Sequence, residues 1–192
     1  RIEEWQDRTD SRAVVVYGKP GTGKSAFAVN YAHYNSDVYG CFLCEWNREY
    51  TTDPHRFIRT LAFRLATKLP DYRSFLLRQL SQDPVNLDNM STQALLEYLV
   101  SYPLNHLVDG NRETGIIIVD GLDEADVAGG NPLAEMFAAC AQAMPRWIKF
   151  IFTSRPEQNV ISQFQSYASI NIVDDIYKYV QEYKNNDFLK FT

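Results

Sequence analysis

Gly18-Lys19-Pro20-Gly21-Thr22-Gly23-Lys24-Ser25 has the spacing G-x-x-x-x-G-K-[ST] of a phosphate-binding loop, and its reading decides the fold. It follows the apolar run Ala-Val-Val-Val-Tyr at 13–17 and precedes Ala26-Phe27-Ala28-Val29, so the segment reads as strand, glycine-rich turn and helix start. Gly18, Gly21 and Gly23 allow positive φ, which turns main-chain N–H groups inward on an anion. The free first-turn N–H groups and the dipole of the following helix face the same anion. Lys24 adds a point charge for the β- and γ-phosphates, and the Ser25 hydroxyl suits Mg²⁺. The expected nucleotide contacts are therefore Gly18, Lys19, Pro20, Gly21, Thr22, Gly23, Lys24, Ser25 and Ala26.

Two further strand ends extend this reading. In Gly115-Ile116-Ile117-Ile118-Val119-Asp120-Gly121-Leu122-Asp123-Glu124 an apolar run delivers Asp120 to the carboxyl edge of a sheet, where ligands bind in open α/β folds. A carboxylate there suits the Mg²⁺ that bridges β- and γ-phosphates, so Ser25 and Asp120 form the expected metal pair. Asp123 and Glu124 follow, and either suits the positioning or deprotonation of an attacking water. In Phe150-Ile151-Phe152-Thr153-Ser154-Arg155-Pro156 a second buried strand ends at Arg155, whose guanidinium suits a γ-phosphate. On their own, an acidic turn and an Arg-Pro helix start are ordinary solvated features. The upstream loop gives them their meaning.

The remaining chain supplies the scaffold. Strands are expected at 13–17, 39–46, 116–119, 148–153 and 169–173. Helices are expected at 23–34, 53–69, 71–80, 92–100, 131–144 and 174–184. Asp53-Pro54 and Asn131-Pro132 read as cap and first helical position. Phe57, Ile58, Leu61, Leu65 and Leu69 form one apolar stripe, and Pro70 ends that helix. Strands alternating with helices predict a three-layer α/β fold of the P-loop NTPase kind, with a mostly parallel five-stranded sheet covered on both faces.

The chain has 192 residues, 45% hydrophobic and 22% charged, enough for one domain with a substantial core. Its net charge of −5 argues against broad binding to nucleic acid or to anionic membranes, and no apolar run is long enough to span a bilayer. Cys41, Cys44 and Cys140 are too few and too irregular for a disulfide framework, which favours a reducing, cytoplasmic setting. Cys41 and Cys44 lie three apart in a strand, on opposite faces, and so read as core residues and not as a metal pair. His33, His55 and His106 are scattered. Gly129-Gly130 reads as a flexible loop near the site, and Ile2 and Trp5 are candidate adenine contacts by proximity alone. The missing initiator Met and abrupt end give the expectation of a piece of a longer protein.

Taken together, Gly18 to Ser25, the box Asp120-Gly121-Leu122-Asp123-Glu124 and Thr153-Ser154-Arg155-Pro156 resemble the NACHT family of STAND-class signal-transduction ATPases. The specific detail is a small residue directly after Asp120 and then an Asp-Glu pair. Tyr39-Gly40-Cys41-Phe42-Leu43-Cys44, with Asp53-Pro54 and its helix, also resembles that family, as does Asp175-Ile176-Tyr177-Lys178-Tyr179-Val180. The resemblance implies a nucleotide-binding domain over 1–173, with 1–12 a lead-in, and the truncated start of a helical domain over 174–192. It implies ATP and ADP as ligands with Mg²⁺, Lys24 on the phosphates, and Ser25 and Asp120 on the metal. It makes Glu124 the catalytic carboxylate with Asp123 beside it, and Arg155 the γ-phosphate sensor. It implies a switch with slow hydrolysis, whose exchange of ADP for ATP drives self-association of a larger receptor-like protein in innate immunity, defence or cell death. Flanking effector and sensing domains would lie outside this chain. The alternatives are a small-molecule kinase, which would need an Arg-rich lid not seen here, and a non-catalytic nucleotide-binding module.

Overall fold

The computed structural model describes residue 5 and residues 11–82, 85–107 and 112–171. In chain order these form β1 (Ala13–Tyr17), α1 (Lys24–Tyr34), β2 (Val38–Leu43), α2 (Glu49–Thr52), α3 (Pro54–Lys68) and α4 (Pro70–Gln82). There follow α5 (Thr92–Leu96), a π-helical turn (Glu97–Ser101), α6 (Tyr102–Asn105), β3 (Gly115–Asp120), α7 (Pro132–Ala143), β4 (Ile148–Ser154), α8 (Gln158–Ile161) and β5 (Ala168–Asn171). The strands make one sheet in the order β2-β3-β4-β1-β5, with every pairing parallel. This is the expected α/β architecture of the P-loop NTPase kind.

Period-two alternation divides the sheet between two apolar layers. Ala13, Val15, Ile117, Val119, Phe150 and Phe152 point into the larger core, under α3 to α7. Val14, Val16, Ile116, Ile118 and Ile151 point the other way, onto Ala28 of α1 and onto Trp5. Every residue of β3 and β4 is buried, Lys149, Thr153 and Ser154 included, as central parallel strands require. The larger core is bound by an aromatic chain. Phe57 lies 4.4 Å from Phe42 and 4.7 Å from Phe137 between ring centres, and Phe137 lies 5.0 Å from Phe152. The predicted stripe of α3 is buried along its whole length. Asp53 caps that helix, accepting a hydrogen bond from His55 N at 2.9 Å.

Some boundaries differ from expectation. β2 ends at Leu43: Cys44 N still donates to Asp120 O, but Glu45 then turns back onto the Thr51 hydroxyl. Pro70 ends one helix and opens the next, α4, which runs on to Gln82. The single helix expected at 92–100 widens into the π turn, where Tyr102 N donates to Glu97 O. Pro103 has no N–H for Leu99 O, so two carbonyls lose their usual partners. Side chains of α4 take both: the Tyr72 hydroxyl donates to Leu99 O, and Gln79 Nε2 to Tyr98 O at 2.8 Å. β5 is Ala168–Asn171, and the helix expected at 174–184 lies outside the described residues.

Candidate functional site

The sheet order decides which residues meet. β4 lies between β1 and β3, so the carboxyl ends of these three strands open side by side on one edge. Tyr17 is in register with Ser154, and Val119 with Phe152, which sets Asp120 beside Thr153. The loop after β1 is joined to β4 by Gly18 N donating to Ser154 O at 3.2 Å. Thr153 Oγ1 in turn donates to Asp120 Oδ1 and accepts from Gly121 N at 3.0 Å. β3 stands two strand spacings from β1, so their tips lie on the order of 10 Å apart across β4.

The 18–25 turn is shaped by main chain. Gly21 and Gly23 sit at φ 79° and 88°, the left-handed region. Gly18 was expected to share that geometry; the left-handed turns fall at 21 and 23, while Gly18 carries the tie to β4. Nothing lies within 4 Å of where a Cβ would stand on Gly21 or Gly23, so the turn is uncrowded at both glycines. Lys19, Pro20, Gly21 and Gly23 are exposed, and Ser25 and Ala26 are exposed at the start of α1. Gly23 brings no side-chain cap to the helix N-terminus. Lys24 Nζ donates to Gly18 O at 2.6 Å and Lys19 O at 3.2 Å, folding across the loop with one of its three N–H donors to spare.

The opposite side is wired by side chains. Asp120 is 4% exposed, and its Oδ1 is held by Thr153. The Ser25 hydroxyl and the Asp120 carboxylate are oxygen donors of the kind that Mg²⁺ takes. Gly121 has φ 73°, and a Cβ there would stand 3.1 Å from the Cys44 carbonyl. That gives the physical reason for the small residue after Asp120. The chain then enters a 3₁₀ turn, Leu122–Ala125, which presents Asp123 and Glu124 toward β4. Arg155 N donates to Asp123 Oδ1 at 2.8 Å, and its guanidinium meets Asp123 Oδ2 at 3.2 Å through Nε and Glu124 Oε1 at 3.1 Å through a terminal nitrogen. The Glu124 Oε2 atom accepts from Trp46 N at 3.2 Å. The Asp123 side chain is 6% exposed, against 23% for Glu124 and 45% for Arg155. Asn131, the cap of α7, braces this turn by donating to Leu122 O and Asp126 Oδ1, both at 2.7 Å.

Thus Lys24, Asp120, Asp123, Glu124 and Arg155 share one sheet edge, as the sequence predicts, and the turn is accessible. Neither the Thr153 hydroxyl nor the Trp46 N–H follows from the sequence motifs. A threonine at the buried tip of a strand is a signal for the first; a main-chain donor leaves none. Three lesser expectations need comment. Trp5 is buried against Lys149 at the far end of β4, with Nζ 5.1 Å from the ring centre, so it is not placed for adenine; Ile2 lies outside the described residues. The Gly129-Gly130 loop is a turn closed by Val127 N donating to Gly130 O at 2.9 Å. Cys41 and Cys44 join opposite layers, and burial, with the charges of Asp120, Asp123 and Glu124, pushes the Cys44 thiol up to about 12. It stays a neutral core thiol. Among the described residues no helix is long and apolar enough to cross a membrane.

No curated protein matches the chain. The family model described as Nephrocystin 3, N-terminal, matches residues 1–155, a span running from the lead-in through the turn, Asp120 and Arg155. The chain belongs to the nephrocystin 3 N-terminal family.

Proposed function

We propose that this domain binds ATP and ADP with Mg²⁺ at the 18–25 turn, hydrolyses ATP slowly, and serves as a nucleotide-dependent switch within a larger protein. The observation that carries the reading is the convergence of three strand tips. One holds an open, glycine-shaped anion turn with Lys24 across it, one a buried carboxylate at Asp120, and one the cation Arg155. In this reading Lys24 and the first-turn N–H groups of α1 hold the phosphates. Ser25 and Asp120 hold Mg²⁺, which when bound neutralises charge between the β- and γ-phosphates. Glu124 orients the attacking water, and Arg155 reads the γ-phosphate.

Magnitudes support a movable Arg155. With the guanidinium 45% exposed, its pair with Glu124 falls among exposed ion pairs, about 0.2–1 kcal/mol. A weakly held terminal nitrogen is free to exchange Glu124 for a γ-phosphate, which carries more negative charge than one carboxylate. Adenine specificity, self-association in the ATP state, a cytoplasmic setting and a role in defence or cell-death signalling rest on the NACHT resemblance and are part of the proposal.

The test joins mass identification of any nucleotide that co-purifies with titration of ATP and ADP in the presence of Mg²⁺. Glu124→Gln is expected to bind ATP as the parent does while hydrolysis slows by roughly 10²-fold or more. Failure of the parent chain to bind either nucleotide overturns the reading. Transfer of labelled phosphate to a small acceptor instead of water would make it a kinase.

A further inference from the structure

We infer that Asp123 is a positioning residue for Arg155 and not a second base for water. This rests on the proposed γ-phosphate role of Arg155 and goes beyond it by dividing the acidic pair into two tasks. Both Asp123 oxygens are committed to one residue: Oδ1 accepts from Arg155 N at 2.8 Å and Oδ2 pairs with Arg155 Nε at 3.2 Å. That grip spans main chain and side chain together, so it fixes where the residue leaves β4 and the direction in which its side chain sets out. The carboxylate is 6% exposed, which leaves little access for a water.

Glu124 is held differently. It meets only a terminal nitrogen of Arg155, at 3.1 Å, and its other oxygen takes the Trp46 N–H. Its side chain is 23% exposed. The terminal nitrogen can leave Glu124 for a γ-phosphate while Nε and the main chain stay on Asp123. The guanidinium thus turns about a fixed point, and the same movement frees an oxygen of Glu124. Triphosphate, but not diphosphate, supplies the group that draws it away.

The experiment measures the ratio of ATP to ADP affinity, with Mg²⁺, in the full chain and in Arg155→Ala, Asp123→Ala, Asp123→Asn and the double Asp123→Ala/Arg155→Ala variant. Arg155→Ala is expected to lower the preference for ATP by roughly tenfold or more, the worth of one hydrogen bond to a charged group. Asp123→Ala should lower it by a similar factor, and the double variant should lose nothing further, because both changes remove one device. Asp123→Asn keeps an acceptor for Arg155 N but loses the ion pair, so its loss should be intermediate. If Asp123→Ala fails to fold, the Asn variant decides: an unchanged ratio overturns the inference. Collapse of the ratio in Arg155→Ala with the parent ratio in the Asp123 variants overturns the positioning role alone. An unchanged ratio in Arg155→Ala overturns the sensor reading, and the inference with it.

Discussion

The turn at 18–25 and the acidic side at 120–124 with 153–155 face each other across β4, yet they are assembled by different means. The turn is local: eight consecutive residues, two left-handed glycines and a lysine folded back on its own loop carbonyls. Its Cβ positions at Gly21 and Gly23 look onto empty space. The acidic side is nonlocal and crowded. Thr153 reaches Asp120 across 33 residues and Arg155 reaches Asp123 across 32, and Gly121 is pressed against the Cys44 carbonyl. A local site is read from spacing; a nonlocal one is read only once the strand order is known.

The most severe test of the local side is Lys24→Ala. The ammonium spans the turn, held by Gly18 O and Lys19 O. Its loss should abolish measurable binding of ATP while leaving the fold intact, because the turn keeps its glycine geometry. Undiminished ATP affinity in a variant that melts like the parent would break the assignment of this loop to phosphate.

A middle-sized effect is expected at Thr153, where the acidic side is wired through a side chain that is 0% exposed. Thr153→Val is nearly isosteric but leaves Gly121 N without its acceptor and Asp120 without its donor. The expected loss is about 1–3 kcal/mol of stability by denaturant unfolding, with a higher Mg²⁺ concentration needed for ATP binding. Thr153→Ser should recover most of both. If Val costs no stability and Mg²⁺ dependence is unchanged, Thr153 is only core filling.

This contrast explains what the sequence made legible. The strand–turn–helix context, the apolar stripe of α3 and the apolar-rich runs of β3 and β4 are short-range patterns, and each is where spacing predicts it. The meeting of Asp120 and Arg155 on the edge that bears Lys24 was legible as far as chemistry went, since each ends an apolar strand. Which oxygen bonds which nitrogen was not, because that depends on β4 lying between β1 and β3. The π turn at Glu97–Ser101 escaped for a similar reason. Pro103 announces a lost hydrogen bond, but only the packing of α4 shows that Tyr72 and Gln79 take up the freed carbonyls.

The smallest predicted effect compares two glycines in the same left-handed region. Gly23→Ala and Gly121→Ala both force a Cβ into positive φ, which costs about 1–2 kcal/mol in either place. At Gly23 the new methyl meets nothing within 4 Å, so the backbone strain is the whole folding cost. At Gly121 it meets the Cys44 carbonyl at 3.1 Å and Glu124 Cγ at 3.3 Å, and main chain bonded to Asp120 O gives way less readily than a side chain. Gly121→Ala should therefore be the less stable of the two by about 1 kcal/mol in denaturant midpoint analysis. Nucleotide affinity should order them the other way, because Gly23 shapes the proposed phosphate turn itself while Gly121 lies across β4 from it. Equal stabilities would mean that the acidic side is looser than its hydrogen bonds imply, and that the two halves of the site differ less than their construction suggests.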